Sequence, residues 1–196
     1  MRKNISIICF GLFILASCVI PEKYSCEIEV KDLKNYSVSF KGTVFFWMAV
    51  EEISAKGSLS RETDNEIKKI FDEWTVTDPK IMAYQYLNNG RAYIEYQETI
   101  NDGSALDFSE NLGLPLRINV IGNNSIMIKI DSSGDDDFFP ELNRYGYKMD
   151  GNLVVISQIP IIESSGIQIQ RQNNKYIVQK TLSSFPENEI IITMRQ

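Results

Sequence analysis

Carboxylates, lysines, phenols and thiols are the side chains here that could do acid–base, metal or nucleophilic chemistry, because the 196-residue chain has no histidine. Without imidazole, Ser-His-Asp and Cys-His relays and the zinc-peptidase motif are excluded, and most transition-metal sites lose their commonest ligand. The densest group of acids is DSSGDDDFFPELN, carrying Asp131, Asp135, Asp136, Asp137 and Glu141. Calcium would want six to eight oxygens. Counted from Asp131, however, Gly134 stands fourth rather than sixth and Glu141 eleventh rather than twelfth. A solvated acidic turn explains the same residues by ordinary turn chemistry, and no metal site is assigned. The acid pairs Glu51–Glu52 and Glu95–Glu98 come with no nucleophile or oxyanion donors. Asp107 and Glu110, at i and i+3, read as one solvated helical face. No catalytic residue and no cofactor is expected.

Phenols gather in KIMAYQYLNNGRAYIEYQETI, residues 80–100. Asn89-Gly90 tolerates positive φ and marks a two-residue hairpin turn. That turn would pair 88 with 91, 86 with 93 and 84 with 95. One face would then carry Met82, Tyr84, Tyr86, Tyr93, Glu95 and Gln97. The other would bury Ile81, Ala83, Leu87, Ala92, Ile94 and Ile100. Tyr84, Tyr86 and Tyr93 are the candidate binding face, able to stack on a sugar ring or take a peptide. Cross-strand aromatic packing beneath a helix is the competing explanation.

Three thiols remain, Cys9, Cys18 and Cys26. Arg2 and Lys3 precede an apolar run from Ile5 to Leu15. As a helix that run would cover about 17 Å, roughly half a hydrocarbon core. It is too short to span and suits a signal-peptide core. Leu15-Ala16-Ser17-Cys18 closes the run and resembles the lipobox of bacterial lipoproteins. The resemblance implies cleavage between Ser17 and Cys18, loss of residues 1–17, and a diacylglyceryl thioether with palmitate-type chains on Cys18. Two or more chains anchor stably. It also implies an extracytoplasmic place in the cell envelope. Val19, where an aspartate would mark inner-membrane retention, is compatible with an outer membrane. Cys26 would be left as the sole thiol, unable to form an intramolecular disulfide and most simply buried.

Removing 17 residues takes two of the 20 Lys and Arg and none of the 26 acids, so the net charge becomes 18 − 26 = −8. An acidic chain without a basic patch repels phosphate backbones, so nucleic acid is not a partner. Apolar content of 43% is enough for a core. Residues 18–25 read as a short lipidated tether and 26–196 as one α+β domain with a weak sub-boundary near 131–143.

The pattern predicts a mainly antiparallel sheet with several hairpins and one clear amphipathic helix over 63–74. Strands are expected at 26–31 and 38–50, the latter central and apolar on both faces. Thr63-Asp64-Asn65-Glu66 has the form of a capping box, and Ile67, Ile70, Phe71 and Trp74 form one stripe. A short helix is expected over 104–113. Further hairpins are expected at Asn123-Asn124, at Asp150-Gly151 within 144–159, and at Asn173-Asn174 within 166–182. A closing strand is expected over 189–196. From Lys41-Gly42-Thr43-Val44 through helix, strand and Asn89-Gly90 to Leu106-Asp107-Phe108, the order of elements resembles the LppM-type domain of bacterial lipoproteins. That resemblance implies an α+β unit near a membrane, associated with lipid binding or envelope roles. The expected function is therefore non-catalytic: a membrane-anchored ligand-binding or envelope-structural protein. Its partners would be the membrane, through the anchor, and an unknown small ligand or envelope protein. An interaction component or adhesin-like surface lipoprotein is the alternative, with an open edge at 189–196 as its contact. A carboxylate-based enzyme ranks third.

Overall fold

Val19, the residue after the cysteine box, is already strand. The computed structural model describes residues 19–108, 112–114, 116–131, 147, 149–182 and 189–196. Strand β1 (Val19–Val30) alternates strictly from Tyr24 on, with Tyr24, Cys26, Ile28 and Val30 buried between outward Ser25, Glu27 and Glu29. Its first residues are no tether. Val19 and Ile20 are 1% and 4% exposed, and two apolar side chains at the head of a strand gain more from burial than from solvent. Pro21, which cannot donate to a ladder, sits at a bulge where the pairing with β2 shifts.

Asp32 closes the turn to β2 (Tyr36–Phe46). Its carboxylate accepts the backbone N–H of Lys34 at 2.8 Å and of Asn35 at 2.9 Å. The chain then departs from the expected central strand through 50. It turns into helix α1 (Trp47–Lys56). Ala49 and Val50 are both buried; adjacent residues cannot face one side of a strand, but Phe46, Ala49, Val50 and Ile53 share one side of a helix. Gly57, at φ 77°, ends α1 in the left-handed conformation that glycine adopts freely.

Helix α2 (Arg61–Thr77) contains the expected 63–74 and starts earlier. Its cap is Ser60, whose hydroxyl accepts from the Thr63 N–H at 3.2 Å, so Thr63 lies inside the first turn rather than at the cap. Ile67 and Phe71 are fully buried, with Ile70 and Trp74 packed beside them. Among the described residues α1 is thus a helix where strand was expected.

Two sheets are formed. The larger runs β10–β11–β8–β1–β2–β4–β3 and the smaller β5–β6–β7–β12–β9. They comprise β3 (Ile81–Asn88), β4 (Arg91–Ile100), β5 (Leu106–Asp107), β6 (Leu116–Ile121), β7 (Ser125–Ile130), β8 (Asp150–Ser157), β9 (Ile161–Glu163), β10 (Ile169–Gln172), β11 (Lys175–Leu182) and β12 (Ile190–Arg195). α+β is the class, but the larger sheet is mixed, because β1 and β8 pair in parallel. Asp150 and Gly151 therefore open a strand instead of turning a hairpin. Gly151 is required there: a Cβ would lie 2.2 Å from the Tyr24 ring. Leu106 and Asp107 are strand, not helix. Leu106 pairs with Ile118. The hairpins at 116–130 and 166–182 form as expected, with Asn173 and Asn174 at φ 51° and 61°, whereas that at 80–100 forms in a different register. The inner faces of both sheets join in one hydrophobic core.

Candidate functional site

The three candidate tyrosines do not share a face. Two irregularities interrupt the β3–β4 pairing, between Ile81 and Ala83 and between Tyr86 and Asn88. Tyr86 consequently pairs with Ala92 and Tyr84 with Ile94, while Tyr93 pairs with Gln85. A shift of one residue moves a side chain to the other side of a sheet. Tyr84 and Tyr86 thus join Ala92 and Ile94 on the core side, and Tyr93 points outward.

Helix α2 covers the inner pair. The Phe71 ring lies 6.1 Å from that of Tyr84 and 6.0 Å from that of Tyr86. Both phenols are tied to helix carboxylates. Tyr84 donates to Asp72 Oδ1 at 3.1 Å and Tyr86 to Asp64 Oδ1 at 2.5 Å. Asp64 Oδ1 also accepts the Gly90 N–H at 2.9 Å, so one carboxylate fastens the hairpin tip to the first turn of the helix. Burial, and then the facing carboxylate, pushes both phenols well above their ordinary range. Lys68 at 2.5 Å, followed by Tyr84, holds Asp72 below its ordinary value. These groups are saturated by one another, so packing beneath a helix is what Tyr84 and Tyr86 do.

Tyr93 belongs to a polar outer surface. Its hydroxyl donates to Glu95 Oε1 at 2.7 Å, and Glu95 Oε2 meets Lys41 Nζ at 3.3 Å. The Tyr93 hydrogen bond, then Lys41, lowers the Glu95 carboxyl. Along the same sheet Glu22 takes the Arg91 guanidinium through two nitrogens at 2.9 and 3.0 Å, and Lys175 meets Glu29 at 3.0 Å. Arg91 also lies over the Phe45 ring at 3.9 Å. Glu95 and Glu98 are not an acid pair: Glu98 meets Lys80 at 2.6 Å and accepts from Tyr96. Glu51 and Glu52 lie on α1, where Lys56 holds Glu52 at 2.8 Å.

Asp131, the first residue of the acidic stretch, contacts Lys129 at 2.9 Å and Arg117 at 3.2 Å, and Arg117 reaches Asp107 at 2.9 Å. Two cations therefore flank the Asp131 carboxylate. The rest of that stretch, including Glu141, lies outside the described residues, as do Glu110, Ser17 and Cys18. Among the described residues no group of three or more possible metal ligands comes together. Cys26 is buried as expected, and burial, then Glu27, pushes its thiol up to about 12, which leaves little thiolate for reaction. A groove of about 210 Å³ lies where β1 turns into β2, lined by Lys31, Asp32, Asn35, Tyr36, Ser37, Thr99 and Asn101. It is smaller than ordinary ligand pockets, and Asp32 is already engaged within its own turn.

The helix carboxylates Asp64 and Asp72 and the Glu22–Arg91 pair were invisible to spacing arguments. Their partners stand 12 to 69 positions away, and no local pattern marks such pairs. The closing strand β12 is not an open edge either, because β7 and β9 flank it. No helix among the described residues is long and apolar enough to cross a membrane.

No known protein family matches the chain, and no curated relative does. Among solved structures it is similar to the LppM folded domain of Mycobacterium tuberculosis, with 15% identity and a TM-score of 0.41, over 100% of this chain and 95% of that one. It is also similar to an M1 zinc metallopeptidase of Deinococcus radiodurans, with 10% identity and a TM-score of 0.38, over 90% of this chain and 42% of that one. No residue role is carried across from either protein.

Proposed function

We propose that this chain is an exported lipoprotein, cut before Cys18 and acylated there, whose folded body serves the cell envelope without catalysis. One observation carries the reading: a basic start, an apolar run too short to span, and Leu15-Ala16-Ser17-Cys18 follow one another in the order that lipoprotein processing needs. Cys26, buried and with its thiol raised, does not compete for modification. With Tyr84 and Tyr86 consumed by packing, an envelope-structural or partner-binding role fits the outer surface better than a stacking site for a sugar.

Labelling cells with an alkyne fatty acid, followed by mass analysis of the N-terminal peptide, tests this. The expected result is a tagged chain starting at residue 18, with no tag in Cys18→Ala. A tag that persists in Cys18→Ala, or a mature chain starting elsewhere, overturns it.

A further inference from the structure

The strand end that carries Val19 also gathers apolar side chains that the core does not use. Val19 pairs with Phe46, and α1 starts at the next residue, Trp47. The Phe46 N–H donates to the Gly90 carbonyl at 2.8 Å, which draws the tip of the β3–β4 hairpin to the same end. Packing there is close: a Cβ on Gly90 would meet that of Ala49 at 2.2 Å. Met48, two residues after Phe46, and Leu87, three residues before Gly90, are 43% and 40% exposed.

Val19 itself is firmly held. Val19 is 1% exposed, and a Cβ on Gly113 would lie 2.0 Å from its carbonyl oxygen, so the strand is held from its first residue. Consecutive Cα atoms are about 3.8 Å apart. An acyl group on Cys18 therefore brings this end of the sheet to the lipid surface, with no tether to let the body turn away. The rest of the molecule extends outward, since the eleven steps of β1 at about 3.3 Å each measure about 36 Å.

Resting on the acylation at Cys18, we infer that Met48 and Leu87 seat in the headgroup–acyl boundary of a phospholipid bilayer, fixing how the body stands on the membrane. The contact is apolar rather than electrostatic. Arg91, which pairs with Phe45 at this end, is already held by Glu22, Glu51 and Glu52 lie on α1, and the processed chain is acidic. Val76 and Met82, 86% and 65% exposed, serve as the control. Asp64 of α2 lies by Tyr86 and Asp72 by Tyr84, so the helix leads away from the seat toward Met82. Leu87 to Met82 is five strand steps, about 17 Å.

The test places a fluorescent amino acid at 48, 87, 76 or 82 of the full chain, in phosphatidylcholine vesicles containing brominated lipid. Flotation of the wild-type chain, lost in Cys18→Ala, reports the anchor; quenching reports the seat. Quenching at 48 and 87 at least about three-fold stronger than at 76 and 82, unchanged by added anionic lipid or salt, is expected. Equal quenching at all four positions, or none at 48 and 87 in chains that float, overturns the seat. If the wild-type chain does not float, coupling the Cys18 thiol to a maleimide phospholipid supplies attachment at the same atom. The quenching pattern then decides the seat separately from natural acylation.

Discussion

Tyr86 and Tyr93 sit on one hairpin, each donating to a carboxylate at 2.5 and 2.7 Å, yet the two sides of that hairpin do different work. Inside, Tyr86 joins a strand to a helix through Asp64, with Phe71 against its ring, and holds two elements at a set distance. Outside, Tyr93 joins β4 to itself through Glu95, two residues along. A hydrogen bond matters by what it connects and by how much water its loss would readmit, not by its length alone.

Removing the ring that both inner tyrosines share should give the largest effect. Phe71→Ala leaves a cavity among Phe46, Trp74, Tyr84 and Tyr86 and should cost about 3–5 kcal/mol, read from the denaturation midpoint. A cost near that of a surface change would mean that the helix does not close the core here.

Tyr86→Phe comes next. It keeps the ring, removes the donor to Asp64, and should cost about 1.5–3 kcal/mol as a charge-assisted bond. Amide exchange should quicken at the Gly90 N–H, which shares that carboxylate.

Acidification should act on both sides of the hairpin together. Asp72, Glu95 and Glu52 are all lowered, Glu52 to about 2 through Lys56 and then Thr63. A carboxyl whose folded value is depressed adds stability that is present above its unfolded value and is lost as pH falls through the folded one. The melting temperature should therefore hold from pH 7 to about 5 and decline from about pH 4.5 toward 2. A maximum at acid pH would contradict these assignments.

Tyr93→Phe should change least, within the ~0.5 kcal/mol of ordinary surface substitutions. An effect as large as that of Tyr86→Phe would abolish the contrast between the two sides.

Where structure depended on neighbours in the chain, it was legible in the residue order. The α2 stripe of Ile67, Ile70, Phe71 and Trp74 needs only helical periodicity, and the Asn173-Asn174 turn needs only residues that tolerate positive φ. Burial of Cys26 followed from its standing as a lone thiol, which packs as a small apolar side chain. The tyrosine face was misread because bulges flank Tyr84 and Tyr86, and a bulge adds one residue without a strong local mark. The switch from strand to helix at Trp47 was within reach, since Phe46, Ala49, Val50 and Ile53 keep helical spacing, but Val44 to Val50 read equally well as a buried strand.

The residue order by itself determined the amphipathic helix, the asparagine-turned hairpins and the Leu15-Ala16-Ser17-Cys18 order on which the proposed processing rests, because each depends on side chains a few positions apart. Only the tertiary structure decided that β8 lies parallel to β1, that Asp64 and Asp72 take the phenols of Tyr86 and Tyr84, and that Val19 starts the central region of the larger sheet. Those pairings join residues from 12 to more than a hundred positions apart. Their partners are chosen by which buried faces fit together, and no short stretch of sequence holds that information.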